Sequence, residues 1–282
     1  IPTLEGDASF GAYVAKPEGA AKGAIIVIQE IFGVNPGIRQ KCDKLAAEGY
    51  LAVAPDLFWR LDPEVSLDPD SGAEFSMALD LMMAFNQNQG IRDIEATIHH
   101  IRRTLGVSKV GCVGYCLGGR LAFMAAARTD IDASVGYYGV GIDGLLGEKH
   151  AIAHPLMLHI PTEDGFVPRE TQEAMHAGLD DHPRVTLHDY EGLDHGFATE
   201  HGKRRNEEAA NLADRLMARL SEPVSAGRMM LTPQASVGVA MFPSDGWDVD
   251  SLVRHADIAM YRAKSEGGGR IVFYSLEMNQ AM

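Results

Sequence analysis

The fold is decided by one stretch of the sequence, residues 110–120, which reads VGCVGYCLGGR. It opens with a short apolar, β-branched run and then turns through small residues. It continues into LAFMAAAR at residues 121–128, which favours a helix. This order predicts a strand, a tight turn and a helix, with one side chain at the turn, Cys116, that can act as a nucleophile.

The turn has the spacing of a nucleophile elbow, because Gly114 and Gly118 flank Cys116 where the usual motif has serine. Small residues are needed there because the apex residue takes a strained backbone conformation and neighbouring side chains would clash. The N-terminus of the following helix favours a thiolate over a thiol. A buried structural cysteine is the competing interpretation, and the motif by itself does not decide between the two.

The composition excludes several function classes. The chain has 282 residues and a formal net charge of -14, which argues against nucleic acid and anionic membranes as partners. No apolar run approaches ~20 residues, so no membrane span is expected, and the first ten residues do not look like a secretion signal. The three cysteines predict no disulfide framework, no zinc site and a reducing, cytoplasmic location. No cofactor or metal is expected.

Apolar runs alternate with helical patterns from about residue 23 to residue 220. This alternation predicts an α/β domain with a mainly parallel sheet and helices on both faces. Strands are expected at residues 23–28, 50–54, 110–115, 132–138, 156–160 and 185–190. Helices are expected at residues 36–48, 73–105 with a break near 86–90, 121–128, 168–179 and 205–220.

An irregular acidic segment, residues 57–72, interrupts this alternation. Loops of this length in a compact domain are usually functional or mobile. It is either part of a substrate mouth or a solvated connection.

Four side chains with useful chemistry follow four different predicted strands: Glu30, Cys116, Asp164 and His195. Functional groups gather at the carboxyl ends of parallel strands, so we expect all four on one rim of the sheet. This convergence favours the catalytic interpretation of Cys116 over the structural one. The order of nucleophile, acid and base along the chain is that of the α/β-hydrolase fold.

Each of these groups has a chemical role to fill. His195 can take or share the thiol proton of Cys116, while an acid behind the ring fixes its tautomer. The backbone N–H groups of Leu117 and Ile31 are the expected oxyanion donors. Glu30 is either a solvated carboxylate at a strand end or a group that contacts the sulfur and controls its protonation.

The residues alone offer three candidates for the acid that orients His195. Glu163 and Asp194 compete with Asp164 for this role. We favour Asp164 because it precedes Gly165 at a turn after a strand, where its side chain can reach across the rim.

Five short segments together resemble the dienelactone hydrolases (carboxymethylenebutenolidases). The resemblance covers about residues 5–220, and a cysteine at the elbow together with these segments is unusual among α/β-hydrolases. The segments are QEIFG at residues 29–33, GYCLGG at 114–119, YYG at 137–139, Asp164 before Gly165, and DHGF at 194–197.

The resemblance implies a Cys116–His195–Asp164 triad, with Glu30 holding or triggering the thiol. It also implies hydrolysis of an enol-lactone in chloroaromatic or catechol breakdown. The expected partner is a small ester or lactone, and the expected assembly is a monomer or a homodimer. Its motifs further suggest three substrate-pocket residues, Phe32, Tyr138 and Phe197.

One departure from the family pattern concerns the substrate. Well-studied members bind the substrate carboxylate with arginines, one of them four residues after the catalytic histidine, and that position is Thr199 here. The next basic residues, Lys203, Arg204 and Arg205, are interpreted as the start of a helix. Hydrolase chemistry is therefore better supported than the dienelactone substrate.

The pattern changes after residue 222, which predicts a boundary between a hydrolase domain at 1–222 and a tail at 223–282. The tail predicts a short βαβ-like fragment, with strands at 235–242 and 271–274 around a helix at 249–265. It resembles the C-terminal part of a GGDEF (diguanylate cyclase) domain but lacks the GGDEF signature, so we expect no cyclase activity. A gene fusion, natural or engineered, would explain it.

Two other functions remain as alternatives. The GGDEF remnant favours a signalling or binding protein in which the hydrolase-like module is inert. A thiol-based redox sensor would use Cys112 and Cys116, but their spacing across a strand-to-turn transition makes an internal disulfide geometrically unfavourable.

Overall fold

The computed structural model describes residues 1–205, 224–226, 229–231, 237–240, 249–265, 271–274 and 278. Residues 206–220, which carry nearly all of the predicted closing helix, lie outside this part of the chain. Within the described residues, none of the helices is both long and apolar enough to cross a bilayer.

A seven-stranded sheet forms the centre of the molecule, with the strand order β1-β3-β2-β4-β5-β6-β7. All neighbours run parallel except β1, which pairs antiparallel with β3. The strands are β1 Ala12–Ala15, β2 Ala24–Ile28, β3 Leu51–Pro55, β4 Val110–Tyr115, β5 Ala133–Tyr137, β6 Leu156–Pro161 and β7 Val185–Tyr190.

The helices connect these strands. They are α1 Pro36–Ala47, α2 Gly72–Ala84, α3 Gln87–Thr104, α4 Leu117–Arg128, α5 Arg169–Leu179 and, in the tail, α6 Val249–Ser265. A 3-10 helix spans Asp143–Ala151. The break predicted near residues 86–90 separates α2 from α3, where Asn86 caps α3 by accepting from two backbone N–H groups.

The mainly parallel sheet predicted from the sequence is confirmed, and its burial explains the sequence pattern. Ile26 and Ile28 of β2 belong to the apolar cluster on one face, while Val27 belongs to the cluster on the other. A strand covered on both faces reads as a continuous apolar run, as residues 24–28 do. The edge strand β1 was not predicted, because it is only four residues long and its Val14 is 42% exposed.

The tail contains the predicted strand–helix–strand unit. Strand β10 (Val237–Val239) pairs parallel with β11 (Ile271–Phe273), and α6 packs closely on them. A side chain at Gly238 would collide with the backbone of α6. Two further short strands, β8 and β9, form an antiparallel pair that the sequence did not predict, at Val224–Ala226 and Met229–Leu231.

The tail unit lies against the larger sheet. Val239 packs against the apolar cluster that contains Tyr190 and Phe197, and β11 contacts the edge strand β7. A strand–helix–strand unit of this size has little core of its own. Contact with the main sheet supplies part of the apolar burial that it lacks.

Backbone segments approach each other closely at the elbow between β4 and α4. A Cβ atom at Gly118 would collide with the carbonyl oxygen of Ile28 and lie 2.7 Å from that of Gln29. A Cβ atom at Gly114 would collide with the carbonyl oxygen of Gly118 itself. The two glycines therefore let the start of α4 pack directly on the end of β2.

We predict that Gly118→Ala lowers the free energy of unfolding by roughly 2–4 kcal/mol, because the methyl group meets rigid backbone rather than a flexible side chain. Gly144→Ala is the matched control, since a Cβ atom there meets nothing within 4 Å. Urea titrations followed by near-UV circular dichroism compare the two variants. Equal midpoints would show that the elbow tolerates a side chain.

Candidate active site

Cys116 occupies the apex of the elbow, directly after β4 and directly before α4. Its backbone has φ 55° and ψ −113°, which is a rare conformation for a residue with a side chain. Its N–H donates to the carbonyl oxygen of Tyr137 at 3.0 Å, so the strained turn is tied to β5. The thiol is partly exposed, whereas Cys42 and Cys112 are buried.

His195 and Asp164 form a buried pair beside the elbow. The Nδ1 atom of His195 lies 3.0 Å from Oδ1 and 2.9 Å from Oδ2 of Asp164. The ring also interacts with Cys116, and both residues line the same cavity. The structure therefore brings together the three residues that the sequence placed after β4, β6 and β7.

The two other candidate acids take different positions. Asp194 accepts hydrogen bonds from the backbone N–H groups of Gly165 at 3.1 Å and His195 at 2.7 Å, so it braces two loops against each other. Glu163 donates its backbone N–H to Leu193 at 3.0 Å. The carboxylate that contacts the imidazole ring is that of Asp164.

Asp164 is itself held in place. Its Oδ1 atom accepts from the backbone N–H groups of Phe166 at 2.8 Å and Val167 at 3.1 Å. These hydrogen bonds fix the position of the carboxylate. An anchored carboxylate fixes the ring of His195 and its tautomer.

The imidazole of His195 lies between two aromatic rings, those of Tyr138 and Phe166, each with its centroid 4.8 Å away. Burial by itself would lower the pKa of His195. Hydrogen bonds to Asp164 and Cys116 outweigh this effect and raise the pKa to about 10. The ring is therefore an imidazolium at neutral pH.

Glu30 is buried two residues after the end of β2. Burial raises the pKa of its carboxyl group above the ordinary value, although the charges of His195, Lys41 and Arg204 and hydrogen bonding to Tyr138 oppose the shift. Both Glu30 and Cys116 line the same cavity. Of the two interpretations from the sequence, the solvated carboxylate does not describe this buried group.

The candidate oxyanion donors, Leu117 and Ile31, lie on the two segments that meet at the elbow. Leu117 is the first residue of α4, where backbone N–H groups have no partner within the helix. Ile31 follows Glu30 and lines the cavity. Both N–H groups therefore belong to segments that the close approach at Gly118 holds together.

A cavity of about 140 Å³ opens onto Cys116, Glu30 and His195. A volume of ~150 Å³ is enough for a benzene-sized ligand. Most of its wall is apolar and comes from the loop after β2 that carries Ile31 (the oxyanion loop), from α2 and from the loops after β5 and β6: Ile31, Phe32, Phe75, Leu79, Met82, Val140 and Phe166.

The acidic loop at residues 57–72 does contribute to the cavity, through Pro69 and Asp70. It is tied to the oxyanion loop by the hydrogen bond from the N–H of Leu67 to the carbonyl oxygen of Phe32, 2.9 Å. Of the two interpretations of this segment, the structure favours the substrate mouth.

The expected pocket residues divide into two groups. Phe32 lines the cavity, as predicted. Tyr138 and Phe197 do not. Both are buried behind the site, where their rings pack on each other with centroids 5.6 Å apart. The segment after β7 turns Phe197 towards Tyr190 in the core, 4.7 Å between centroids, so its role in the substrate pocket stays a prediction.

Two cationic residues on the cavity wall were missed. Lys203 and Arg204 line the cavity beside Thr199, although the sequence suggested only a helix start. The guanidinium of Arg204 lies over the ring of Phe166, 5.2 Å from its centroid, and Nη1 is 3.5 Å from Oδ2 of Asp194. The sequence signal was a run of three basic residues, but nothing in it showed that the chain folds back over the site.

Among the described residues, no group of three or more histidine, cysteine, aspartate or glutamate side chains is arranged to hold a metal ion.

Two family models match the chain. The model of the dienelactone hydrolase family matches residues 10–224. The model described as diguanylate cyclase, GGDEF domain, matches residues 197–270. The two matches overlap between residues 197 and 224, so the boundary at residue 222 stays a prediction.

Similar proteins point the same way. The chain is 46% identical over 210 residues to the "Putative carboxymethylenebutenolidase" of Azospirillum brasilense, covering 74% of this chain and 90% of that protein. It is 40% identical over 191 residues to the carboxymethylenebutenolidase of Pseudomonas putida, covering 67% and 81%. The crystal structure of the "Putative Dienelactone Hydrolase" from Klebsiella pneumoniae superposes with a TM-score of 0.66 at 27% identity, covering 77% of this chain and 95% of that one.

The raised pKa of His195 makes a prediction for the reactivity of Cys116. Because the imidazolium interacts with the sulfur, iodoacetamide should alkylate Cys116 at pH 6 faster than it alkylates a free small-molecule thiol. Asp164→Asn removes the charge that stabilises the imidazolium, so the rate at pH 6 should fall by at least about tenfold.

A second Asp–His pair provides the control. Asp180→Asn weakens the pair formed with His176 on α5, whose Nδ1–Oδ1 distance is 2.9 Å, and should leave the alkylation rate unchanged. Superimposable pH profiles for the wild type and Asp164→Asn would rule out the proposed imidazolium.

Proposed function

Because the chain belongs to the dienelactone hydrolase family, we propose that it hydrolyses a small ester or enol-lactone with Cys116 as the nucleophile. One observation carries the assignment of the residues: the imidazole of the buried Asp164–His195 pair interacts with the thiol at the apex of a strained elbow, and both line one cavity. This is the nucleophile–base–acid arrangement that acyl transfer requires.

In the first half of the proposed reaction, the thiolate of Cys116, paired with the imidazolium of His195, attacks the acyl carbon. A C–S bond forms, and the carbonyl π electrons move to the oxygen, which the N–H groups of Ile31 and Leu117 stabilise. The C–O bond to the leaving group then breaks. The imidazolium of His195 supplies the proton that the departing oxygen needs, and a thioester remains on the enzyme.

In the second half, water hydrolyses the thioester. The now neutral His195 takes a proton from water as its oxygen attacks the acyl carbon, and the C–S bond breaks to release the acid. The departing sulfur leaves as a thiolate beside the regenerated imidazolium. Asp164 keeps its hydrogen bond to the ring throughout and stabilises the imidazolium at both stages.

Glu30 is assigned to the resting state of the site. A buried carboxyl group with a raised pKa, placed on the same cavity as the thiol, can exchange a proton with the sulfur. This supports the role in which Glu30 governs the protonation of Cys116.

The cavity supports a compact substrate with an anionic group. Its volume and apolar wall suit a single unsaturated ring, and Lys203 and Arg204 place positive charge on one side. The names of the relatives indicate a butenolide that carries a carboxymethylene group, and we propose this class of substrate. The carboxylate would lie towards Arg204, in place of the arginine that the family pattern has at Thr199.

The remaining assignments are also proposals. A cytoplasmic location agrees with three free cysteines in the described chain. A monomer or homodimer is proposed for the assembly. The tail is proposed to be non-catalytic, because the GGDEF signature is absent from the sequence.

Replacing the nucleophile tests the reaction. Cys116→Ala should abolish turnover of p-nitrophenyl acetate and of a dienelactone, because no other thiol reaches the cavity in the described chain. Cys112→Ala removes a buried thiol and should retain activity. Acid-quench mass spectrometry should find an acyl adduct on the wild type at Cys116. Full activity of Cys116→Ala would end this assignment.

The basic side of the cavity makes a separate prediction. Arg204→Ala should raise KM for a lactone that carries a carboxylate by about 10- to 100-fold, because a charge-assisted contact is lost. The same variant should leave KM for p-nitrophenyl acetate within about twofold. Arg169→Ala removes an exposed arginine that pairs only with Glu173 and serves as the control. Equal effects on both substrates would contradict the carboxylate contact.

A further inference from the structure

Lys41 is a buried lysine on α1 that none of the proposed chemical steps uses. Its side chain is 5% exposed, and its Nζ atom donates to the carbonyl oxygen of Ala198 at 2.7 Å. Nζ also lies 3.3 Å from Oε1 of Glu200 and 4.1 Å from the centroid of the Tyr115 ring. A buried ammonium group is costly unless such partners surround it.

Glu200 is the matching buried acid, five residues after His195. Besides Lys41, it pairs with Lys44, and Nη1 of Arg205 lies 3.5 Å from its Oε2 atom. The guanidinium of Arg205 also donates to the carbonyl oxygen of Thr199 at 2.6 Å. Charged hydrogen bonds from Lys41 and Lys44 therefore join the segment at Ala198 and Glu200 to α1, and Arg205 closes the segment on itself.

The position of Lys41 joins three parts of the candidate active site. It lies on α1, the helix that begins just after the oxyanion loop, where Asn35 caps it. Its ammonium group lies over Tyr115, the residue immediately before Cys116. Its acceptors, Ala198 and Glu200, follow His195 on the loop that forms the basic wall of the cavity.

From this arrangement we propose that the Lys41–Glu200 pair is a positioning device, which holds the loop after His195 against α1 and so aligns the imidazole with Cys116. The inference rests on the hydrolase reaction proposed above. Lys41 is a positioning residue and not a catalytic one, because its contacts are with the protein behind the site and not with the cavity.

Lys44 offers a matched comparison. It lies on the same helix and pairs with the same acid, but its side chain is 49% exposed. Exposed ion pairs contribute little, while removal of one partner of a buried pair leaves an uncompensated charge. Loss of Lys44 should therefore be tolerated where loss of Lys41 is not.

The test compares Lys41→Met with Lys44→Met in the full chain. Each variant keeps an unbranched side chain and loses the charge. Lys41→Met should lower kcat for p-nitrophenyl acetate by about 10- to 100-fold with little change in KM, since a small displacement of the base is enough for such a loss. Lys44→Met should remain within about twofold of the wild type.

Alkylation of Cys116 by iodoacetamide at pH 6 is the second readout. It reports the contact between thiol and imidazolium and requires no hydrolysis, so it still decides the matter if the wild type hydrolyses none of the substrates. Lys41→Met should lower this rate about as much as kcat. A purely structural role would lower the melting temperature and leave the alkylation rate of the folded variant unchanged.

Glu200→Gln covers the case in which Lys41→Met does not fold. It keeps the shape of the acid and an acceptor for Lys41 but removes the negative charge. It should show the same loss of kcat and of alkylation at pH 6. Folded Lys41→Met or Glu200→Gln protein that matches Lys44→Met in both measurements would overturn the proposal.

Discussion

The close approach of α4 to the end of β2 is the constraint on which the site depends. Gly118 lies against the carbonyl oxygens of Ile28 and Gln29, and no side chain fits between them. This contact places the apex of the elbow beside the loop that carries Glu30 and Ile31. The sulfur of Cys116, the candidate oxyanion donor Ile31 and the buried carboxyl group of Glu30 thus line one cavity, because two pieces of backbone touch.

The second constraint is electrostatic, since several ionisable groups are buried around this contact. Asp164 raises the pKa of His195 by direct hydrogen bonding, while burial raises that of Glu30. The positive charges of His195 and Lys41 act in the opposite direction on Glu30. The charge of His195 is therefore coupled to the proton on Glu30. This supports Asp164 as the anion that orients the imidazole and Glu30 as the group that carries a proton.

Much of this arrangement could be predicted, because parallel strands turn a linear order of residues into a spatial one. Cys116, Asp164 and His195 were placed on one rim by counting strand ends, and the structure brings them together. Strand counting does not decide between Asp164 and Asp194, because the two residues lie on adjoining loops. In the structure, the carboxylate of Asp164 contacts the imidazole of His195, whereas that of Asp194 accepts from the backbone N–H group of His195.

The residues that the sequence did not reveal are those whose position depends on loops. Lys203 and Arg204 reach the cavity only because the chain after β7 folds back over it. Lys41 reads as one polar residue on an amphipathic helix, and its burial follows from a partner 159 positions away. Local periodicity carries no information about such contacts, because loop closure is decided by tertiary packing.

The residues that react and the residues of the wall that faces the substrate lie in different parts of the sequence. The reacting groups lie at strand ends, inside the region that only the dienelactone hydrolase model matches, whereas Thr199, Lys203 and Arg204 lie where the two family models overlap. The departure from the family pattern at Thr199 thus falls in the stretch that both family models match. Since Glu200 ties this loop to α1, the site can keep the alignment of its base while the wall that faces the substrate changes.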